Sequence, residues 1–342
     1  MAELTNEKIL ITGGTGFAGR YAIRRMIEDG LCLYVLVRSK EKLRDILGKN
    51  LFEQNALRVI ETENPEKSTV SDLTRLIEEN NITTIVHIAA VVGEHKIHWN
   101  KYYETNVLWT KNLALAFLQA KVQHNKFIFT SSVGVYGTIP KQVPADEETA
   151  YNPDGKYHKS KVLAEKELLE LQSSSDLPLI ILRPTILYGN EDTGFLHKLF
   201  RLMAKNFFPL SKSNPRIHLL DVELLAETYS QLAKSTAMSK DNIFNVGDKE
   251  AVKIRELSEY ISKSMDAGYL SMPSFVFSIL NKLVALNSQY SVSLKLISQS
   301  WCYNVDRLYT TFSLEPRDTI QALDKKYIMW YREAGRRDSF LA

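Results

Sequence analysis

An apolar strand, Lys8-Ile9-Leu10-Ile11-Thr12, ends in glycines at 13, 16 and 19 and turns at once into a helical pattern over about 16–29. Few architectures accept that order. One glycine permits the tight turn, a second lets backbone approach a ligand, and a third lets helix and strand pack closely. The helix start then offers unpaired N–H groups to an anion, which suits the pyrophosphate of a dinucleotide. The plainer alternative is a glycine-rich turn that binds nothing; the strand before it and the helix after it argue against that.

Strand-length apolar runs continue at 33–37, 57–60, 84–88, 126–130 and 179–182, with helices predicted over 71–80, 105–120 and 160–172. Continuous apolar strands joined by crossover helices specify a parallel sheet covered on both faces. The fold class is therefore α/β, a Rossmann doubly wound parallel sheet. Past Pro184 helices dominate, and 243–246 is one short strand. Residues 1–184 are thus expected to form a dinucleotide-binding domain. Residues 185–342 are expected to form a smaller, mostly helical substrate lobe with segments returning to the main sheet.

The chain is 44% hydrophobic and 24% charged, an ordinary globular balance. Its 43 basic and 40 acidic residues are scattered, so nucleic acid is not an expected partner. Cys32 and Cys302 are far apart and lack metal-ligand partners, so neither a disulfide nor a metal site is expected. The N-terminus is polar, with no sign of a signal peptide. The longest apolar stretch, 275–286, is too short to span a bilayer and carries Asn281 and Lys282. A soluble cytoplasmic protein is expected.

At the end of the second strand stand Arg38, Ser39, Lys40 and Lys42, with no carboxylate before Glu41. An acidic residue there would hold ribose hydroxyls, and a basic one a 2′-phosphate. NADP is therefore preferred over NAD, unless these cations form only a solvated loop. Tyr157 and Lys161 are four apart, hence on one helical face. An ammonium beside a phenol favours the phenolate, lowering its pKa towards proton exchange with a carbonyl or secondary alcohol. Lys161 could also bond the nicotinamide ribose. Such a pair alone is more often an exposed couple. Ser132, at the end of the 126–130 strand, lifts it to a catalytic site by orienting the substrate oxygen.

With these motifs in order, the chain resembles the extended short-chain dehydrogenase/reductases. That group includes nucleotide-sugar epimerases and dehydratases, dihydroflavonol-type reductases and 3β-hydroxysteroid dehydrogenases. The likeness covers nearly the whole chain. It includes Thr12 to Gly19, His87-Ile88-Ala89-Ala90, Asn106 within Glu104-Thr105-Asn106-Val107, and Ser131-Ser132-Val133-Gly134-Val135-Tyr136-Gly137. It continues through Arg183-Pro184-Thr185-Ile186-Leu187-Tyr188-Gly189, His218-Leu219-Leu220-Asp221-Val222 and Phe244-Asn245-Val246-Gly247. The resemblance implies cofactor contacts from Gly13, Thr15, Gly16, Phe17 and Gly19, and from Ala89, Ala90, Asn106, Thr130 and Pro184. It implies substrate contacts from Val92, Ser132, Val133, Tyr188 and Arg216.

Dehydratases of that group set an Asp-Glu pair after the catalytic serine or threonine, and decarboxylases a glutamate where Gly134 sits. Val133 and Gly134 can serve neither reaction. Two departures point away from an ordinary nucleotide-sugar epimerase. Asn214 stands where those enzymes carry an arginine, with Arg216 as the nearest substitute. The run 272–280 resembles a segment of reductases with apolar substrates, and reads equally well as a core helix. The leading expectation is an NADP-preferring oxidoreductase working on a ketone or secondary alcohol. The alternative is a nucleotide-sugar 4-epimerase with tightly bound NAD, and the third is a non-catalytic dinucleotide-binding subunit. His87 should be a packed strand residue. His95 and His98, flanking Trp99 near the cleft, are candidates for substrate contact rather than for metal. A homodimer through helices 105–120 and 160–172 is expected by analogy alone.

Overall fold

The computed structural model describes residues 7–93, 97–204, 209–211, 214–235, 241–266, 270–272 and 295–339. Seven parallel strands make the main sheet: β1 (Lys8–Thr12), β2 (Cys32–Val37), β3 (Leu57–Glu61), β4 (Thr84–His87), β5 (Lys126–Thr130), β6 (Leu179–Pro184) and β7 (Ile243–Val246). Their order is β7-β6-β5-β4-β1-β2-β3. The order reverses between β1 and β4, which opens a crevice beyond the carboxyl ends of those strands.

The apolar runs are continuous because both faces are covered. Ile9 and Ile11 pack into one buried cluster, and Leu10 between them packs into another. This is the two-residue period of a strand. All three are fully buried, worth about 1.5–3 kcal/mol each relative to exposure. Helices Phe17–Glu28 and Val222–Lys234 cover the first face, and Val70–Asn80, Trp109–Gln119 and Lys156–Ser175 the second. A capping box starts Val70–Asn80, with Thr69 and Asp72 satisfying each other's backbone N–H, and Asn81 ends it in the left-handed region.

Two helices depart from the expected bounds. The segment expected at 105–120 is a π turn, Tyr103–Leu108, followed by the helix Trp109–Gln119. The helix bearing Tyr157 begins at Lys156 rather than 160. Beyond residue 184, β7 extends the sheet beside β6, and Val222–Lys234 packs on Phe17–Glu28. Tyr188, Phe200, Ile217, Trp301, Tyr303 and Tyr331 share a third buried cluster, with Trp330 packed against it. Nearly all of the 272–280 run, the whole 275–286 stretch and His95 lie outside the described residues. Among the described residues, no helix is long and apolar enough to cross a membrane.

Candidate active site

The turn after β1 is shaped by backbone crowding. Gly13 has φ +79°, and a Cβ there would lie 2.6 Å from the Ala89 nitrogen. A Cβ on Gly19 would lie 2.1 Å from the Gly13 carbonyl oxygen. Side chains at either place would force this turn away from β4 or from its own helix. Gly16 precedes the helix with no side-chain cap, so first-turn N–H groups stay available to a ligand. The turn lines a cavity of about 650 Å³.

Ser132, Tyr157 and Lys161 meet on this cavity. Tyr157 is half-buried and hydrogen-bonded to Ser132. The Ser132 oxygen also accepts from the Gly134 N–H at 3.0 Å, which fixes the turn after β5. Lys161 is buried; its Nζ donates to the Thr130 carbonyl at 2.7 Å and lies 5.9 Å from the Tyr157 ring centre. Desolvation pushes the Tyr157 phenol up to about 12, with the Ser132 hydrogen bond opposing. The lowering expected from Lys161 does not appear, and burial dominates. Burial drives the Lys161 amine down to about 7, with Glu165 opposing, so the cation is itself weakened.

Behind these residues Glu165 joins the catalytic helix to β5 and β6. It accepts from Ser131 Oγ and from Arg183, whose Nη2 lies 2.6 Å away. Tyr151 donates to the same carboxylate at 2.7 Å. Both charges are buried; removing one would strand the other at several kcal/mol.

Gly13, Thr15, Gly16, Phe17 and Gly19 line the cavity, as do Arg38 and Ser39 at the end of β2. Ala89, Ala90, Val92, Thr130 and Pro184 complete the predicted residues brought there. Four others lie elsewhere. Asn106 ties down the loop after β4, bonding both polar groups of the Val91 backbone and Ser160 Oγ. Val133 is buried in the third cluster, with Tyr188 and Trp301. Tyr188 is fully buried and donates to Asp248 at 2.8 Å, so its ring belongs to the core. Arg216 stands exposed on a short strand with Glu250 3.6 Å away. His87 bonds Thr12 and Thr110 and is held neutral by burial, its pKa near 3. His98 directly precedes the short helix Trp99–Tyr102.

Thr105, Trp109, Thr185 and Thr193 also line the cavity. Thr105 adjoins Asn106, which is a weak signal; the others come together only through long-range packing. Thr105 Oγ1, Trp109 Nε1 and Thr185 Oγ1 are buried without a hydrogen-bond partner among the described residues. Glycines compelled by backbone contact, beside a cavity of this size, fit a bound dinucleotide.

A parallel sheet with a phosphate-sized turn at its switch point, and a serine, tyrosine and lysine at the same edge, defines a dinucleotide-dependent enzyme of the Rossmann class. The chain belongs to the NAD dependent epimerase/dehydratase family, whose sequence model matches residues 9–247. A Pisum sativum bifunctional UDP-glucose 4-epimerase and UDP-xylose 4-epimerase is 22% identical over 74% of this chain and 73% of its own. An Escherichia coli O157:H7 N-acetyl-alpha-D-glucosaminyl-diphospho-ditrans,octacis-undecaprenol 4-epimerase is 24% identical over 94% of both chains. A Bacillus cereus UDP-glucuronic acid 4-epimerase, solved in complex with NAD, shares the fold with TM-score 0.74 and 17% identity. That match covers 95% of this chain and 99% of the other.

Proposed function

We propose that this protein is a nucleotide-sugar 4-epimerase that keeps NAD in the cavity, which reverses the order of the first two sequence expectations. The carrying observation is the meeting of Ser132, Tyr157 and Lys161 where neither residue following the serine, Val133 nor Gly134, is an acid or a base. Val133 is buried, and a Cβ on Gly134 would fall 2.2 Å from the His158 ring. Elimination of water needs acid and base at neighbouring carbons, so hydride transfer alone is the chemistry these residues serve. The 4-epimerase names of the pea and E. coli relatives support the same reading.

Bound NAD would supply the hydride acceptor, and its oxidised ring a positive charge in a buried place. The protein's residues would do the rest. Tyr157 takes the C4 hydroxyl proton as the hydride leaves, and Ser132 steadies the forming ketone. After the keto sugar turns its other face, the hydride would return to C4 and Tyr157 gives its proton back to the C4 oxygen, restoring an alcohol. The substrate goes from alcohol to ketone to alcohol, with no net oxidation. Arg38, the residue read as a 2′-phosphate partner, lies 3.8 Å from the buried Glu66, which also holds Lys101. That carboxylate favours NAD over NADP in this reading. A cytoplasmic location, where Cys32 and Cys302 stay unpaired, belongs to it too.

The test is to identify the nucleotide released from purified protein, then to incubate the holoenzyme with UDP-hexoses and follow 4-epimer formation by NMR. NAD release and epimer formation without net nicotinamide reduction are expected. Tyr157→Phe should lose at least about 10²-fold in turnover. Stoichiometric consumption of NADPH by a simple ketone, or full turnover in Tyr157→Phe, would overturn the proposal.

A further inference from the structure

Two segments far apart in the chain border the cavity together. The glycine turn supplies Gly16 and Phe17, and the stretch that leaves β6 through the short strand Ile186–Tyr188 supplies Leu187 and Thr193. Phe17 and Leu187 pack against one small buried cluster, Tyr21, Val222 and Ala226. Polar contacts join the same two segments just beyond it. The Tyr21 hydroxyl donates to the Asn190 carbonyl at 3.2 Å. Arg20 uses both parts of its guanidinium: Nε donates to the Gly16 carbonyl at 3.3 Å, and Nη1 donates to the Glu191 carboxylate, 171 positions away in sequence. One side chain therefore bridges the turn read above as the phosphate cradle and the loop that carries Thr193.

The loop is fixed on its other side as well. The Gly189 N–H donates to the Tyr331 hydroxyl at 3.1 Å, and that hydroxyl donates to Asp192 at 3.1 Å. Buried Asp192 also accepts from the N–H groups of Gly194 and His197, where the helix Phe195–Ala204 begins. Between these anchors Glu191 has φ +66°, a left-handed conformation that residues with side chains adopt chiefly where their surroundings impose it. Glycine would hold that conformation without strain, but would not supply the carboxylate that meets Arg20. Neither member of the pair lines the cavity, so it acts on a ligand only through the segments it joins. We infer that Arg20 and Glu191 form a clasp that holds loop 189–194 against the glycine turn and slows release of the bound dinucleotide. A 4-epimerase requires such retention, because a reduced cofactor lost while the sugar is a ketone leaves the reaction unfinished. This rests on the cofactor reading above and assigns retention to two positioning residues.

Release can be followed by diluting the NAD-loaded protein into excess alcohol dehydrogenase and ethanol, which convert each freed NAD to NADH and report it at 340 nm. Glu191→Gln keeps the side-chain length and removes the charge; Arg20→Met removes the guanidinium. Each is expected to speed release about threefold, as fits a partly exposed ion pair. The double variant should release no faster than Arg20→Met alone, since both changes break one contact. Arg20 and Glu191 are 17% and 44% exposed, so salt should speed release from wild type more than from Glu191→Gln. Wild-type release rates in the folded single variants would overturn the inference, as would additive effects in the double variant. A wild type that carries no NAD and binds none would instead remove the cofactor reading, and the clasp with it.

Discussion

Lys161 carries the sharpest conflict between function and stability. An unfolded lysine keeps its proton to about pH 10.4, whereas burial brings the native amine to about 7. Between those values the unfolded chain binds more protons, so this group makes stability rise with pH across that window. Asp248, raised to about 7 by burial, acts in a different window: there the native state binds more protons, and stability falls as pH rises from about 4 to 7. Comparing wild type with one variant separates the two. Lys161→Met should be more stable at pH 7 by about 1–3 kcal/mol, lose that advantage near pH 10, and have no turnover. Denaturant midpoints at both pH values decide it; a variant weaker at pH 7 would refute the argument. The sequence made Tyr157 and Lys161 neighbours on one helical face. It could not show that desolvation outweighs their mutual attraction.

Among the elements, the strand–turn–helix at the N-terminus was the most legible. Its glycines answer to contacts a few residues away or with the adjacent strand. Gly19→Ala sets a methyl 2.1 Å from the Gly13 carbonyl. It should cost about 1–3 kcal/mol and abolish the thermal shift expected of the wild type with NAD; a normal shift in scanning fluorimetry would count against the proposed cradle. Strands β1 and β5 have the bounds read from their apolar runs, because burial on both faces leaves no polar residue inside them. The helix after β4 was less legible. Its π turn accompanies bonds from Asn106 to Val91 and from Thr110 to His87, partners that a hydrophobic period does not reveal.

For the whole molecule, the open question is assembly. The π turn carries Leu108, 39% exposed, on the segment named for pairing, and Tyr103, 38% exposed, just before it. Beside it, Lys111 of the following helix bonds Glu167 of the catalytic helix. We propose a homodimer through these two helices, sedimenting at twice the 39.1 kDa chain mass. Leu108→Glu should yield monomers that still bind cofactor; a monomeric wild type would end this proposal.

Local pattern alone determined the sheet class, the glycine turn and the identity of the serine, tyrosine and lysine. Those signals are written within single elements, as apolar period, turn sterics and helical spacing. Tertiary structure decided the rest. It sent Tyr188 into the core, left Arg216 on an exposed edge, set Glu66 beside Arg38 and turned Thr105 and Trp109 towards the cavity. Each outcome depends on what packs against a residue from a distant part of the chain, and spacing along one chain does not encode the depth or direction of that packing.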